Sequence, residues 1–501
     1  MEMLSNLSLG LTVAFAPINL FYCLAGVTLG TFIGVLPGVG PLVTIAVLLP
    51  LTFGLPPEAA IIMLAGIYYG AAYGGSTTAI LVNIPGETSS VVTCIDGHKM
   101  AMNGRAGPAL SIAALSSFLA GTFGTLLIAA VAPPLTQIAL RFGPAEYFSM
   151  MLLALVMTSA LAQGSLAKTA GMASLGVLFG LIGTDITSGA RRFTFGSQNL
   201  AEGVDFVVVA MGLFALSDIV ANLSQKESAG VSVSRVGRLM PTMQDVRDCG
   251  GAVVRGTGIG AILGILPGAG QSVASFASYA VEARVNKKHA EFGKGAAAGV
   301  ASPEAANNSA AQTAFIPTLT LGIPGSATMA LVMGALMIQG IAPGPRVMTD
   351  HPGLFWGLIV SMWIGNLLLV ILNLPLVGLW VSLLKVPYRW LYPAIMMFSC
   401  IGAYSVNSST FDLWLAAGFG VLGFAFAKCR CQPAPFILGF VLGPMIEDNF
   451  RRALLLSQGD VTVFVTEPIS AGFLVVLALT LVAMISPNIR KTKEKAVLEE
   501  E

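Results

Sequence analysis

The chain has 501 residues, of which 55% are hydrophobic and only 10% charged, where a soluble domain carries about 25% charged residues. Its 26 basic and 25 acidic side chains leave a formal net charge of +1, which gives no nucleic-acid signal. The composition is that of an all-α polytopic membrane protein, and a soluble enzyme or a nucleic-acid-binding domain is excluded.

In chain order, a membrane span needs about 20 predominantly apolar residues. The first such stretch runs from Leu20 to Leu36, is interrupted at Pro37, and resumes from Leu42 to Phe53. A second, Ala59 to Val82, is dense in small residues and ends in Asn83-Ile84-Pro85-Gly86-Glu87. After a polar connection, Asp96 to Pro108, apolar segments run from Ala109 to Val131, Tyr147 to Ala162, Leu166 to Ile182 and Val204 to Val220. The stretch from Asn222 to Gly250 is the longest polar one, too short to bury a core and hence a linker. Beyond it the chain is interrupted at Pro267, runs apolar to Val281, and crosses a charged connection from Glu282 to Lys294. Then come Pro303-Glu304-Ala-Ala-Asn307-Asn308 and Ile323-Pro324-Gly325-Ser326. The remaining apolar segments are Ala327 to Ile341, Leu354 to Leu384, Leu391 to Ser405, Leu413 to Ala427, Phe436 to Ile446 and Ala471 to Ile485. The Leu354 to Leu384 run exceeds one span and would divide at Asn373 and Pro375. In all, about 10–12 transmembrane helices are expected.

One pattern occurs twice. Gly26, Gly30 and Gly34 lead into Leu36-Pro37-Gly38-Val-Gly40, and Gly256, Gly260 and Gly264 lead into Leu266-Pro267-Gly268-Ala-Gly270, every position at the one offset that takes Pro37 to Pro267. Glycine at every fourth position lets another backbone approach inside a membrane. Proline removes an amide donor, and the glycines permit φ values closed to other residues. The Ile-Pro-Gly triplets at Pro85 and Pro324 repeat at a wider offset, so nine residues are inserted between the two breaks of the second half, at its charged connection. Backbone irregularity in hydrocarbon survives only where protein or a watery cavity receives it. Paired breaks in corresponding places of two half-chains point to a transporter's substrate site.

The division expected is 1–221 for the first repeat, 222–250 for a basic linker, 251–485 for the second repeat and 486–501 for a charged cytoplasmic tail. Arg284, Lys287, Lys288 and Lys294 place their connection in the cytoplasm. Its counterpart, Gly54 to Pro57, has no Lys or Arg; the basic Asp96–Pro108 connection returns inside; and the Ile341–Gly353 connection is balanced. These signs agree with repeats of inverted topology whose Pro-Gly breaks make interrupted or re-entrant helices.

The six cysteines are scattered and read as free thiols, and the three histidines lie in polar connections. No transition-metal site, Walker A sequence or nucleophile–base pair is evident, so no enzyme is expected. The N-terminus lacks the basic n-region and cleavage site of a removed signal peptide.

The combination resembles the large membrane subunit of the tripartite tricarboxylate transporters, the TctA family. The resemblance is carried by Gly34-Val-Leu-Pro-Gly-Val-Gly-Pro41, Tyr68 to Glu87, Gly104-Arg-Ala-Gly-Pro108, Arg192-Phe-Thr-Phe-Gly196, Pro303-Glu-Ala-Ala-Asn-Asn308 and Leu321-Gly-Ile-Pro-Gly325. Val82-Asn83 departs from it, since a leucine is common at the first of these positions. The resemblance implies a multi-pass protein of the bacterial inner membrane that imports a di- or tricarboxylate using a Na⁺ or H⁺ gradient. It implies two partners, a small TctB-like membrane subunit and a periplasmic TctC-like solute-binding protein, and no cofactor beyond the coupling ion. A channel for small organic anions that works without a binding protein is the competing reading.

Fixed positive charge is expensive at the bilayer centre, so a carboxylate would be held by amides, hydroxyls and the starts of half-helices. The substrate-binding candidates are Ser76, Thr77, Thr78, Asn83, Pro85, Gly86, Asn307, Asn308, Thr313, Pro324, Gly325 and Ser326. Carbonyls at the ends of half-helices suit a cation, giving Gly38, Gly40, Gly268, Gly270, Asn307 and Asn308 as cation-binding candidates. Ser and Thr returning hydrogen bonds to their own helices is the plainer alternative. Glu87, Asp185 and Glu304 are the acids near the breaks, able to carry a proton, coordinate Na⁺ or merely cap helices. Arg191 and Arg192 lie at a connection, where fixing topology competes with contacting an anion.

Overall fold

The computed structural model describes residues 2–36, 40–161, 165–185, 187–223, 236–383 and 391–485. It is all-α apart from one antiparallel hairpin among the described residues, Gly183–Thr184 with Arg191–Arg192. Six helices are long and apolar enough to cross a membrane, and seven shorter apolar helices of 10–17 residues accompany them among the described residues.

The glycine faces explain how the halves are built. In the first, Gly26, Gly30 and Gly34 of the Pro17–Gly34 helix lie against the backbones of Met63, Ile67 and Ala71 on the Pro57–Val82 helix. In the second, Gly256, Gly260 and Gly264 of the Met243–Ile265 helix lie against Ser302, Ala306 and Ala310 on the Ala297–Thr313 helix. A methyl group at any of the six would fall on a neighbouring carbonyl oxygen. Met63 corresponds to Ser302, Ile67 to Ala306 and Ala71 to Ala310 at the same offset that takes Pro85 to Pro324, so the repeat read at Ile-Pro-Gly holds along both helices. Lipid tails are as apolar as leucine, so van der Waals contact between close backbones holds such pairs together.

The halves then exchange contacts reciprocally. The Ala106–Ala139 helix of the first half packs on Ala297–Thr313 of the second, and Pro352–Asn373 of the second packs on Pro57–Val82 of the first. Likewise Pro41–Leu48 meets Ala327–Ile338, and Gly270–Val285 meets the Thr88–Ser90 turn. Pro57–Val82 and Ala297–Thr313 are buried almost throughout and form the centre. The second of these carries so many polar residues that hydropathy alone passes over it.

Several elements differ in extent from their apolar runs. The chain begins with a separate helix, Glu2–Ala14, ended before Pro17 and packed on Pro352–Asn373. The Ala109–Val131 run is part of a helix of 34 residues, Ala106–Ala139, which absorbs Pro133 and Pro134. At 1.5 Å per residue it is about 50 Å long and reaches well beyond a hydrocarbon core of about 30 Å. The Met243–Ile265 helix starts inside the stretch read as linker, capped by Thr242 and Asp245. The Leu354–Leu384 run divides into Pro352–Asn373 and Val377–Leu383, around Pro375. Pro433–Leu456 continues past its apolar part into Glu447, Asp448, Arg451 and Arg452. On the periphery, Pro468–Ile485 exposes Val475, Val476, Leu479 and Val482, a face suited to lipid.

Candidate functional site

All four breaks are real interruptions of helix. In the second half the helix ends at Ile265, Leu266 is extended, and Gly268 and Gly270 take φ of 82° and 58° before the chain re-enters a helix at Gly270. The Gly268 N–H donates to the Gly325 carbonyl at 2.9 Å, tying this break to the neighbouring Ile-Pro-Gly. In the first half the helix ends at Gly34 and resumes at Pro41 behind an extended Gly40. Gly38 lies outside the described residues. At the Ile-Pro-Gly breaks the left-handed residue is not the glycine of the triplet. Asn83 has φ 59° and Gly322 has φ 69°, whereas Gly86 and Gly325 have no positive φ. Asn83 and Gly322 are equivalent positions of the two halves, and each ends its helix one residue before the Ile.

The four breaks converge on one cavity of about 580 Å³, within the size range of small-molecule sites. Gly40 and Pro41 come from the first Leu-Pro-Gly break, Gly86, Glu87 and Thr88 from the first Ile-Pro-Gly break, and Gly268 to Ser272 and Ser326 to Thr328 from their counterparts. Helices therefore start at its wall: Pro41–Leu48, Gly270–Val285, Ala327–Ile338 and the turn at Thr88. The Pro41–Leu48 and Gly270–Val285 starts have no side-chain cap and present free amides with the positive end of a helix dipole, worth about half an elementary charge. Ser326 caps its own helix, accepting from Met329 N–H at 3.2 Å. The Thr88 and Ser272 hydroxyls, one from each half, meet at 2.6 Å. Among the described lining residues there is no Lys or Arg, and Glu87 is the one ionisable group. Glu87 accepts hydrogen bonds from the Ser89 hydroxyl and, at 3.3 Å, from the Asn307 amide.

The other named candidates fall around a second, much smaller cavity. Ser76 and Thr77 line it together with Ser117, Glu304 and Asn373. Asn308 lies alongside, donating to Ser117 Oγ at 2.7 Å. Glu304, Asn307 and Asn308 share a face of the Ala297–Thr313 helix, being three and four residues apart. Asn307 thus stands between the two cavities.

Two of the remaining candidates bond their own helices. Thr78 donates to the Gly75 carbonyl and Thr313 to the Ser309 carbonyl. Asn83 is exposed at the end of its helix. Pro85 and Gly86 line the large cavity, whereas Pro324 and Gly325 sit behind it.

Sequence reasoning missed Gln271, Ser272, Thr88, Thr328, Thr158 and Gln432, all in the large cavity's wall. Gln271 and Ser272 directly follow the second Leu-Pro-Gly-x-Gly, where the first copy has Pro41 and Leu42. That polar departure from an otherwise repeated pattern was the available signal. Gln271 accepts from the Tyr68 hydroxyl at 2.9 Å. Thr158 comes from a helix without a motif, and no sequence feature pointed to it.

The chain matches, over residues 20–438, the family described as the tripartite tricarboxylate transporter TctA family. It belongs to that family. It is similar along its whole length, at 54% identity over 501 residues, to an Agrobacterium vitis protein described as "Uncharacterized 52.8 kDa protein in TAR-I ttuC' 3'region", all of which is covered. A second Agrobacterium vitis protein, described as "Uncharacterized protein in TAR-II ttuC' 3'region", is 54% identical over 242 residues, which are 48% of this chain and all of that one. No solved structure matches. As a TctA-family chain it is a subunit of a tricarboxylate transporter, a multi-pass membrane protein and not an enzyme.

Two stretches that carried the family resemblance are joints outside the cavity walls. In Gly104-Arg105-Ala-Gly107-Pro108, Arg105 pairs with Asp245 at 2.6 Å, and Gly107 lets the backbone at Arg238 approach. In the hairpin, Arg192 and Arg451 share Asp185 and Glu447, at 2.6–3.7 Å. Hydrogen bonds from the Ser188 hydroxyl and the Thr187 N–H, and then Arg451, hold the Asp185 carboxyl down at about 2. Asp185 and Arg192 thus fasten the hairpin to the Pro433–Leu456 helix.

Proposed function

We propose that this chain is the permease subunit of a binding-protein-dependent importer that carries a di- or tricarboxylate, driven by a Na⁺ or H⁺ gradient. It works in a bacterial inner membrane with a small membrane subunit and a periplasmic solute-binding protein, and its two halves are inverted relative to one another. One observation carries this reading: three helix starts and the turn at Thr88, contributed by both halves, surround one cavity with no Lys or Arg among its described lining residues. Such a cavity binds an anion by backbone amides, hydroxyls and dipoles. It avoids a fixed cation that would hold the anion too tightly to release. Thr88, Thr158, Gln271, Ser272, Ser326, Thr328 and Gln432 supply its neutral polar side chains, with Gly40, Gly86, Gly268 and Gly270 shaping its backbone wall.

The reading is tested by counterflow in proteoliposomes containing both membrane subunits, with a panel of di- and tricarboxylates under separate Na⁺ and pH gradients. Saturable uptake that needs the loaded binding protein and follows one cation gradient is expected. Uptake indifferent to both would mark a channel, and no carboxylate uptake at all would remove the substrate class.

A further inference from the structure

We infer that Glu304 is the anchor of a Na⁺ site, separate from the substrate cavity and filled once per chain. This deepens the ion-coupled reading above and rests on it for its role, though not for its chemistry.

Glu304 is buried at the centre of the protein, on a helix enclosed by both halves. It takes part in none of the ion pairs among the described residues. Its neighbours are hydroxyls: Ser76 at 2.8 Å from both carboxylate oxygens, Thr93 at 2.5 Å and Ser117 at 3.3 Å. Three donors fit an ionised carboxylate, but hydroxyls bring no counter-charge. A single negative charge in this setting is costly unless a cation accompanies it.

The adjoining space has the size and lining for that cation. The small cavity beside Glu304 is about 10 Å³, room for one water-sized particle. Asn373, 6% exposed, lines it, and its Oδ1 is buried without a hydrogen-bond partner while its Nδ2 donates to the Leu369 carbonyl. An unpaired carbonyl oxygen at a cavity wall is an independent sign of a ligand. Carboxylate, hydroxyl and amide oxygens, with no nitrogen or sulfur ligand, select a hard cation. One carboxylate matches one positive charge, which favours Na⁺ over a divalent ion.

The site also has a physical route to the substrate cavity. Asn308 holds Ser117, and Asn307 on the same helical face holds Glu87 in the wall of the large cavity. Filling one cavity and ordering the other thus act on the same helical face.

The test is thermal unfolding of the purified membrane subunits in detergent, with Na⁺ replaced stepwise by K⁺ at constant ionic strength. The wild type is expected to gain stability with Na⁺ along a saturable curve. Glu304→Gln should lose that response, and Ser76→Ala and Asn373→Leu should each raise the half-saturating Na⁺ concentration tenfold or more. Thr349→Val, exposed in the Ile341–Gly353 connection, should keep the wild-type curve. Should Glu304→Gln fail to fold, the other two variants carry the test. A wild type indifferent to Na⁺ but responsive to pH, or a Glu304→Gln protein with an unchanged Na⁺ curve, overturns the site. A Na⁺ response that depends on Glu304 in a protein that moves no carboxylate leaves the site standing and removes the substrate reading.

Discussion

Gly86 and Gly325 occupy identical triplets, yet alanine should act oppositely at the two. Neither has a positive φ, so in each case alanine restricts the unfolded chain without straining the folded backbone, a gain of about 0.4–1 kcal/mol. The difference is steric. A Cβ on Gly86 would stand 2.5 Å from the Gly75 Cα and 2.9 Å from the Gly34 carbonyl oxygen. Those are backbone atoms of two packed helices, and neither can turn aside. On Gly325 the corresponding neighbours, Gly264 O and the Ala314 Cβ, lie at 3.5 and 3.6 Å, ordinary contact. The methyl of Ala314, where the first half has Gly75, keeps the second break slightly open. Overpacking costs about 1–3 kcal/mol, so Gly86→Ala should be less stable than wild type and Gly325→Ala equal or more stable. Thermal unfolding of both variants in detergent, under one set of conditions, measures the contrast. Equal losses, or a greater loss at Gly325, would refute the steric argument.

Four further outcomes are expected. With the native cysteines removed, single cysteines at the exposed Met102 and Thr349 positions should be labelled from opposite sides of the membrane; labelling from one side ends the inverted arrangement. Thr88→Val and Ser272→Val each remove a hydroxyl from the large cavity, and loss of a hydrogen bond to a charged ligand, about 1.5–3 kcal/mol, should weaken carboxylate binding roughly ten- to a hundredfold. Wild-type concentration dependences in both would take these residues out of the site. Asn83→Ala should cost about 1–2 kcal/mol for its left-handed backbone and Asn83→Gly much less, both with unaltered substrate affinity; an affinity loss shared by the two would make the side chain a ligand. Asp185, depressed to about 2 in the folded protein, contributes stability above its unfolded value near 4, and that contribution is lost as pH falls from there through about 2. Asp185→Asn should therefore remove an acid-induced weakening across that window, and an unchanged acid profile counts against the hairpin joint.

How much of this was legible follows from which physical signals are local. The breaks were legible because proline and glycine act on their own backbone, and each kind of break recurs at a constant offset. The glycine faces were legible because a four-residue period is a packing instruction. Asn83 is open to two readings in the sequence, because an amide beside Ile-Pro-Gly suits a ligand while a helix end in the left-handed region favours Asn and Gly alike. Its equivalent is Gly322, also left-handed, which favours the backbone reading. Thr158 and Gln432 were illegible because membership of the cavity wall depends on how peripheral helices pack, which no short-range pattern encodes. The polar Ala297–Thr313 helix was legible only in part: its residues stood out, but its place at the centre came from the glycine face that receives it.

The two halves keep their backbones alike while differing on one face, and that difference bears on how many sites the chain holds. Carrying Glu304, Asn307, Asn308 and Gln312 back by the offset between Pro324 and Pro85 gives Ala65, Tyr68, Tyr69 and Tyr73. The partner contacts that set helix spacing, at Met63, Ile67 and Ala71 against Ser302, Ala306 and Ala310, obey the same offset, so the pairing is structural and not an accident of alignment. Packing alone is thus satisfied by aromatic side chains on this face, as the first half demonstrates, with Tyr68 and Tyr73 finding partners in Gln271 and Asn366 of the other half. The second half instead places a buried carboxyl and three amides there, leaving Asn307 Oδ1 and Gln312 Oε1 without hydrogen-bond partners. Burying unpaired polar atoms costs stability; the first half leaves one such atom on this face, the Tyr69 hydroxyl, where the second leaves two amide oxygens beside a buried carboxyl. The carboxyl and the amides fall on the second half alone. A cavity drawn from four corresponding breaks is therefore joined to a polar stripe that occurs once, the arrangement that one coupling cation beside one substrate would require.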